Sequence, residues 1–243
     1  ILETKVLKDI INETAFAAST QESRPILTGV HFVLTDNHSL KTVATDSHRM
    51  SQRKIQLETA GDNFDVVIPS RSLREFTSVF SDDIETVEVF FSNNQLLFRS
   101  QHISFYTRLL EGTYPDTDRL IPKDFNTTVT FDTANLRHAM ERARLLSNAT
   151  QNGTVKLDIQ NGVVSAHVNS PEVGKVNEEL DTLAVSGDDL MISFNPTYLI
   201  DALKAVGHEQ VQISFISPIR PFTLVPNATE EDFIQLITPV RTN

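Results

Sequence analysis

Leu7-Lys8-Asp9-Ile10-Ile11-Asn12-Glu13-Thr14-Ala15-Phe16 decides the fold, because the chain carries the pattern twice. Its apolar residues, Leu7, Ile10, Ile11 and Phe16, fall at the spacing of one helix face in a segment running to Ser19. Leu136-Arg137-His138-Ala139-Met140 through Asn148 repeats it, with Met140 and Leu145 standing where the first copy has Ile11 and Phe16. Thr133 precedes the second copy, and its oxygen is expected to accept a free first-turn amide. A long internal repeat outranks any single motif as a guide to architecture.

Beyond each copy the period drops from 3.6 to 2. Val30, Phe32 and Leu34 alternate with other residues, and short strands are expected near 40–45 and 48–57. In the second half Val155-Leu157-Ile159 and Val164-Ala166-Val168 alternate likewise, with Asn161-Gly162 as a hairpin turn. A second helix then follows in each half. Val66-Val67-Ile68-Pro69 leads into 70–80, and Met191-Ile192-Ser193-Phe194 leads into 196–206 through Asn195-Pro196, a cap and a first-turn proline. Val87-x-Val89-x-Phe91 and Val211-x-Ile213-x-Phe215 resume the strands.

Each half therefore reads helix, three strands, strand, helix, three strands. This is an α+β unit with two helices packed on one side of antiparallel sheet. The boundary is expected near Pro122-Lys123-Asp124, dividing the chain into 1–122 and 123–243. A chain of 243 residues, 40% hydrophobic, suffices for two cores of ordinary size. Runs such as Val66-Val67-Ile68 and Leu236-Ile237 are far below the roughly 20 residues of a membrane span, so none is expected. Zero cysteines exclude disulfides, thiolate metal sites and a Cys nucleophile. The chain opens Ile1-Leu2-Glu3-Thr4-Lys5, without Met or a charged-then-apolar leader, and reads as a piece of a longer protein of the cytoplasm. Asn-x-Ser/Thr matches such as Asn148-Ala149-Thr150 carry no weight without secretion.

The net charge is −11, which argues against a uniformly nucleic-acid-adhesive surface. The charge is nevertheless segregated. The four expected helices, 5–19, 70–80, 133–147 and 196–206, hold eight basic residues (Lys5, Lys8, Arg71, Arg74, Arg137, Arg142, Arg144 and Lys204) against five acids. A solvated helix face collects such residues without any function. The functional alternative is a basic helical surface facing phosphate, attracting it without reading bases. No helix-turn-helix, zinc-finger or RNP pattern is present.

Thr45-Asp46-Ser47-His48-Arg49 is the most catalytic-looking stretch, placing an acid, a hydroxyl and an imidazole together. Working triads draw their members from separate elements, so a turn-and-strand junction explains it better, with Asp46 bonding local amides and Arg49 available to a partner. A hydrolase using Asp46 and His48 stays as the minor alternative. The remaining histidines are scattered, no Gly-rich phosphate loop occurs, and neither metal nor cofactor is expected.

Four segments in order then carry a resemblance. They are Val43-Ala44-Thr45-Asp46-Ser47-His48-Arg49-Met50, Glu111-Gly112-Thr113-Tyr114-Pro115-Asp116 with Arg119-Leu120-Ile121-Pro122, Ser193-Phe194-Asn195-Pro196-Thr197-Tyr198-Leu199, and Ile237-Thr238-Pro239-Val240-Arg241. Together they resemble the bacterial DNA sliding clamp, the beta subunit of DNA polymerase III, over essentially the whole chain. The resemblance implies domains two and three of a three-domain clamp, with the opening strand of domain two largely outside the chain. It implies a non-enzymatic processivity factor that closes as a head-to-tail homodimer around duplex DNA. Polymerase, clamp loader and repair proteins would insert short peptides into a pocket between the domains. Carried over by position, that pocket comprises Leu27, Thr45, His48, Arg49, Met50, Pro115, Arg119, Leu120, Asn195, Tyr198, Ile219, Pro221, Ile237, Thr238, Pro239, Val240 and Arg241. Gln21, Arg24, Arg71 and Arg137 are the implied DNA contacts. Ser47, where many members have glycine, and the terminal Thr242-Asn243 depart from the family pattern. A peptide-binding adaptor without DNA remains the alternative, motivated by the net acidity.

Overall fold

A computed structural model describes residues 1–147, 153–170, 174–227 and 229–241. Asn148, the Asn148-Ala149-Thr150 match and the Thr242-Asn243 terminus lie outside the described residues. The chain forms two compact units, Ile1–Thr117 with Glu231–Phe233, and Asp118–Glu230 with Ile234–Asn243.

The first unit runs β1 (Leu2–Glu3), α1 (Thr4–Thr14), β2 (Gly29–Thr35), β3 (Ser39–Thr45), β4 (Arg49–Gln56), β5 (Phe64–Pro69), α2 (Ser70–Val79), β6 (Thr86–Ser92), β7 (Gln95–Arg99) and β8 (Ser104–Arg108). Its strands form two antiparallel sheets, ordered β1-β6-β7-β8 and β4-β3-β2-β5. Leu7, Ile10 and Ile11 of α1 and Leu73 and Phe76 of α2 are all buried, in one core with Val30, Phe32, Leu34 and Phe98. Phe76 stacks on Phe80 at 4.4 Å and meets Phe98 at 4.6 Å, which concentrates large apolar area where the helices meet the sheets.

The second unit runs β9 (Thr127–Asp132), α3 (Thr133–Ser147), β10 (Val155–Gln160), β11 (Val163–Ser170), β12 (Gly174–Leu180), β13 (Ala184–Gly187), β14 (Leu190–Phe194), α4 (Pro196–Val206), β15 (Gln210–Phe215), β16 (Phe222–Pro226) and β17 (Asp232–Ile237). Its sheets are ordered β12-β11-β10-β14 and β13-β9-β15-β16-β17. Apart from β13, which extends one edge, this is the strand order of the first unit. The repeat seen in sequence is thus a repeat of topology, and the α+β reading with paired helices holds. Division of each unit into two sheets is not announced by alternation alone.

Two local expectations are corrected. Thr133 is the first residue of α3, not its cap, and its buried hydroxyl has no hydrogen-bond partner among the described residues. Asp132 supplies the cap, its Oδ1 accepting the Asn135 amide at 2.8 Å, because the carboxylate sits one residue earlier, where the free amides converge. Leu145, aligned with Phe16, is 71% exposed, and the apolar stripe of α3 runs instead through Met140, Ala143 and the partly buried Leu146. Asn195 caps α4 as expected, its Oδ1 accepting the Thr197 amide at 2.9 Å, with Pro196 in the first turn and Gly207 closing the helix at φ +67°.

Candidate functional site

In the first unit the site grows from the turn between β3 and β4. Asp46 Oδ1 accepts the amides of His48 (2.9 Å) and Arg49 (3.0 Å), the local bonding an aspartate makes in a tight turn. The Thr45 hydroxyl donates to the Arg49 carbonyl at 2.7 Å and accepts the Ser47 amide at 3.1 Å, closing the turn from the other side. Ser47 is thereby held at φ +78°, in the left-handed region that favours glycine.

Arg49, expected to be available to a partner, is instead held by the protein. Its Nε donates to Asp46 Oδ2 at 3.0 Å, its Nη2 donates to the Phe16 carbonyl at 3.1 Å, and it lies 5.5 Å from the Phe16 ring centroid. A half-buried guanidinium gains from a carboxylate and a carbonyl what it loses in water. Leu27 and Met50 are buried, at 4% and 2% exposure, as is Thr45, whereas His48 and Pro115 are exposed.

Tyr114, which the sequence places beside Pro115 without a role, supports the turn from below. Its hydroxyl accepts the Thr45 amide at 3.1 Å, and its ring stacks on His31 at 4.8 Å, while His31 Nε2 bonds Asp65 at 2.6 Å. Burial pushes the Tyr114 phenol above its ordinary range. No periodicity marks such a residue; the only signal was its place in the Glu111–Asp116 segment.

In the second unit, Asn195 and Tyr198 stand at the start of α4. The chain beyond β17 returns to the same place, Val240 N donating to the Ser193 carbonyl at 2.7 Å. Thr238, Pro239 and Val240 thus run beside the α4 N-terminus, and Arg241 follows them, exposed. Ile237 pairs with Phe222 and is buried, whereas Val240 is 37% exposed. Ile219 is 60% exposed, with Pro221 two residues on, in the connection between β15 and β16. Arg119 and Leu120 belong to a 3-10 turn at Asp118–Leu120, with Leu120 half exposed.

Of the residues implied for DNA, Gln21 and Arg24 lie on the exposed connection after α1, and Arg24 Nη1 donates to Ser47 Oγ at 3.0 Å. Arg71 projects from α2 with its side chain 90% exposed, 3.2 Å from Glu75. Arg137 on α3 is one-third exposed and pairs with Glu141 at 3.4 Å. Lys8 pairs with Asp82 and Arg142 with Glu178. Much of the helical positive charge therefore rests on surface acids.

Ser47 Oγ accepts from a guanidinium, which has no lone pair to serve as a base for a nucleophilic hydroxyl, and Asp46 is spent on amides and Arg49. Among the described residues no group of three or more His, Asp or Glu is placed to hold a metal ion. No helix of the described residues is long and apolar enough to cross a membrane.

Comparison with known proteins agrees with this architecture. The family described as DNA polymerase III beta subunit, central domain, matches residues 1–116, and the one described as DNA polymerase III beta subunit, C-terminal domain, matches 118–241. The chain is 78% identical to the Beta sliding clamp of Streptococcus pneumoniae serotype 4 over 243 residues, all of this chain and 64% of that protein. It is 56% identical to the Beta sliding clamp of Lactococcus lactis, again covering all of this chain and 64% of the relative. The crystal structure of the Streptococcus pneumoniae beta chain superposes with a TM-score of 0.98 at 78% identity, over 99% of this chain and 64% of that one. The Bacillus subtilis DNA polymerase sliding clamp gives 0.94 at 39% identity, over 100% and 64%. The sequence thus spans just under two thirds of the length of these relatives, and it belongs to the DNA polymerase III beta subunit family, of which it carries the central and C-terminal domains.

Proposed function

We propose that this chain is the central and C-terminal part of a sliding clamp that encircles duplex DNA and tethers replication proteins to it. In its full-length form the clamp is a homodimeric ring, a non-catalytic accessory of a DNA-directed DNA polymerase, working in the cytoplasm without a cofactor. Its partners are double-stranded DNA, gripped without regard to sequence, and polymerase, clamp loader and repair proteins that present short peptides. The observation that carries the reading is the duplicated topology in a chain that belongs to the beta subunit family.

The DNA-facing role falls to Gln21, Arg24, Arg71 and Arg137. Exposed ion pairs such as Arg71–Glu75 are worth only about 0.2–1 kcal/mol, so a phosphate can replace the glutamate at little cost. Such contacts are non-specific and salt-sensitive. The peptide-facing role falls to Leu27, Thr45, His48, Arg49, Met50 and Pro115 in the first unit. In the second it falls to Arg119, Leu120, Asn195, Tyr198, Ile219, Pro221, Ile237, Thr238, Pro239, Val240 and Arg241. Exposed Leu120, Ile219 and Val240 supply apolar contact, and Met50, buried but flexible enough to repack, suits a site serving many partners. The Pseudomonas aeruginosa DnaN sliding clamp, 26% identical with a TM-score of 0.91, has been crystallised bound to griselimycin, which supports a ligand-binding role for the fold.

Titration with a fluorescent peptide carrying Gln-Leu-x-Leu-Phe tests the site. Micromolar binding, about −8 kcal/mol, that disappears when Leu and Phe become Ala is the expected result. Folded protein that ignores the peptide would remove the site assignment. Retention of the full-length protein on circular but not linear DNA separates a ring from an adaptor that never encircles DNA.

A further inference from the structure

Arg24 differs from Arg71 and Arg137, the other basic residues implied for DNA, and unlike Arg74, which donates to Ser70 Oγ on its own helix at 3.1 Å, it bridges to a separate segment. Lys8, Arg71, Arg137 and Arg142 each rest on a carboxylate, whereas the side-chain partner of Arg24 among the described residues is the neutral Ser47 hydroxyl, at 3.0 Å. The loop carrying Arg24 is closed on itself, Leu27 N donating to the Arg24 carbonyl at 3.1 Å and Ser19 N to the Leu27 carbonyl at 2.8 Å. The side chain therefore bridges from a backbone that is independently held. It ends on the one residue of the 45–49 turn with φ above zero. From Ser47 the bonding continues through the Thr45 hydroxyl to the Arg49 carbonyl.

We propose that Arg24 is a positioning residue for the 45–49 turn, and that a phosphate drawing its guanidinium off Ser47 loosens that turn, so that duplex DNA and a bound peptide oppose one another through this bond. The inference rests on the peptide-site reading given above. Its physical basis is a difference in partners: a guanidinium binds phosphate, charged and bidentate, more strongly than it binds a hydroxyl. Ser47 then loses the contact that helps to hold it in a conformation costly for any residue with a Cβ. Coupling between two equilibria is reciprocal, so peptide binding must weaken the grip on DNA by the same factor. A clamp handing itself between loader and polymerase would use such opposition to register whether DNA is in place.

Two readings test it on the 243-residue protein at low salt. In the first, the labelled Gln-Leu-x-Leu-Phe peptide is titrated with and without saturating short duplex. Duplex is expected to raise the peptide Kd about threefold in the original sequence and to leave it unchanged in Ser47→Gly, which lacks the hydroxyl. An equal rise in both proteins, or none in either, overturns the proposal. In the second, the Ser47 amide resonance is followed while duplex alone is added. It is expected to move in the original sequence and to stay still in Arg24→Gln. A resonance that ignores duplex, or that moves equally in Arg24→Gln, overturns the proposal whatever the peptide does. A resonance that moves only when Arg24 is present, in a protein that does not bind the peptide, supports the link and overturns the site assignment alone.

Discussion

At the scale of single residues, two buried groups make sharp tests. Tyr114 is held neutral by burial while its hydroxyl accepts the Thr45 amide. Its folded pKa lies above the unfolded value, so the preference for the neutral form is fully present below pH 10 and is lost as pH rises beyond it. There the unfolded phenol ionises first. Melting temperature should therefore fall more steeply between pH 10 and 11 in the original sequence than in Tyr114→Phe, and parallel slopes would contradict the burial account. At neutral pH the same substitution strands the Thr45 N–H and should cost about 1–3 kcal/mol. Thr133 offers the opposite sign. Its hydroxyl is buried without a partner among the described residues, as is that of Thr4, which starts the first helix of the other unit. Replacing Thr133 by Val removes a desolvated polar atom at nearly constant shape and should raise unfolding free energy by about 1 kcal/mol, read from urea midpoints.

Among elements, the helix starts were the most legible parts of the sequence and also the place where one residue was misassigned. Asn195-Pro196 announces α4 and delivers its cap; Asp132 rather than Thr133 delivers that of α3. Both side chains could cap, and the backbone decides which one stands outside the first turn, a choice set by where β9 hands over to the helix. Asp132→Ala should cost about 1 kcal/mol and speed amide exchange in the first turn of α3. A loss as large from Thr133→Ala, with none from Asp132→Ala, would restore Thr133 as the cap. The 45–49 turn was legible as a turn, and Asp46 as its local acceptor. The commitment of Arg49 to Asp46 and Phe16 was not, because Phe16 lies on a different element and only the packing of the turn against the 3-10 turn Ala15–Ala17 that follows α1 brings its carbonyl within reach.

For the whole molecule, electrostatics sets the expectation. With a net charge of −11 and its helical arginines partly neutralised by acids, the isolated chain should bind short duplex weakly, with a Kd of about 10⁻⁴ M or above at physiological salt. Arg71→Ala should reduce the slope of log K against log salt by about one, the signature of one lost phosphate contact. An unchanged slope would remove Arg71 from the DNA-facing set. Each unit holds a core of its own with the same helix pair and strand order, which is why a repeat in sequence was sufficient to read the architecture of both.

By itself the sequence determined the two helix–strand repeats, the four helices, the hairpin at Asn161-Gly162 and the segregation of basic residues onto helices, since periodicity and turn chemistry are local and need no partner. Only the tertiary structure decided which sheet each strand joins, that Tyr114 supports Thr45 from 69 positions away, and that Arg24 rests on Ser47 across 23. These contacts join residues that share no element and no period. They exist because burial and hydrogen-bond satisfaction are conditions on the folded chain as a whole, which no local pattern can express.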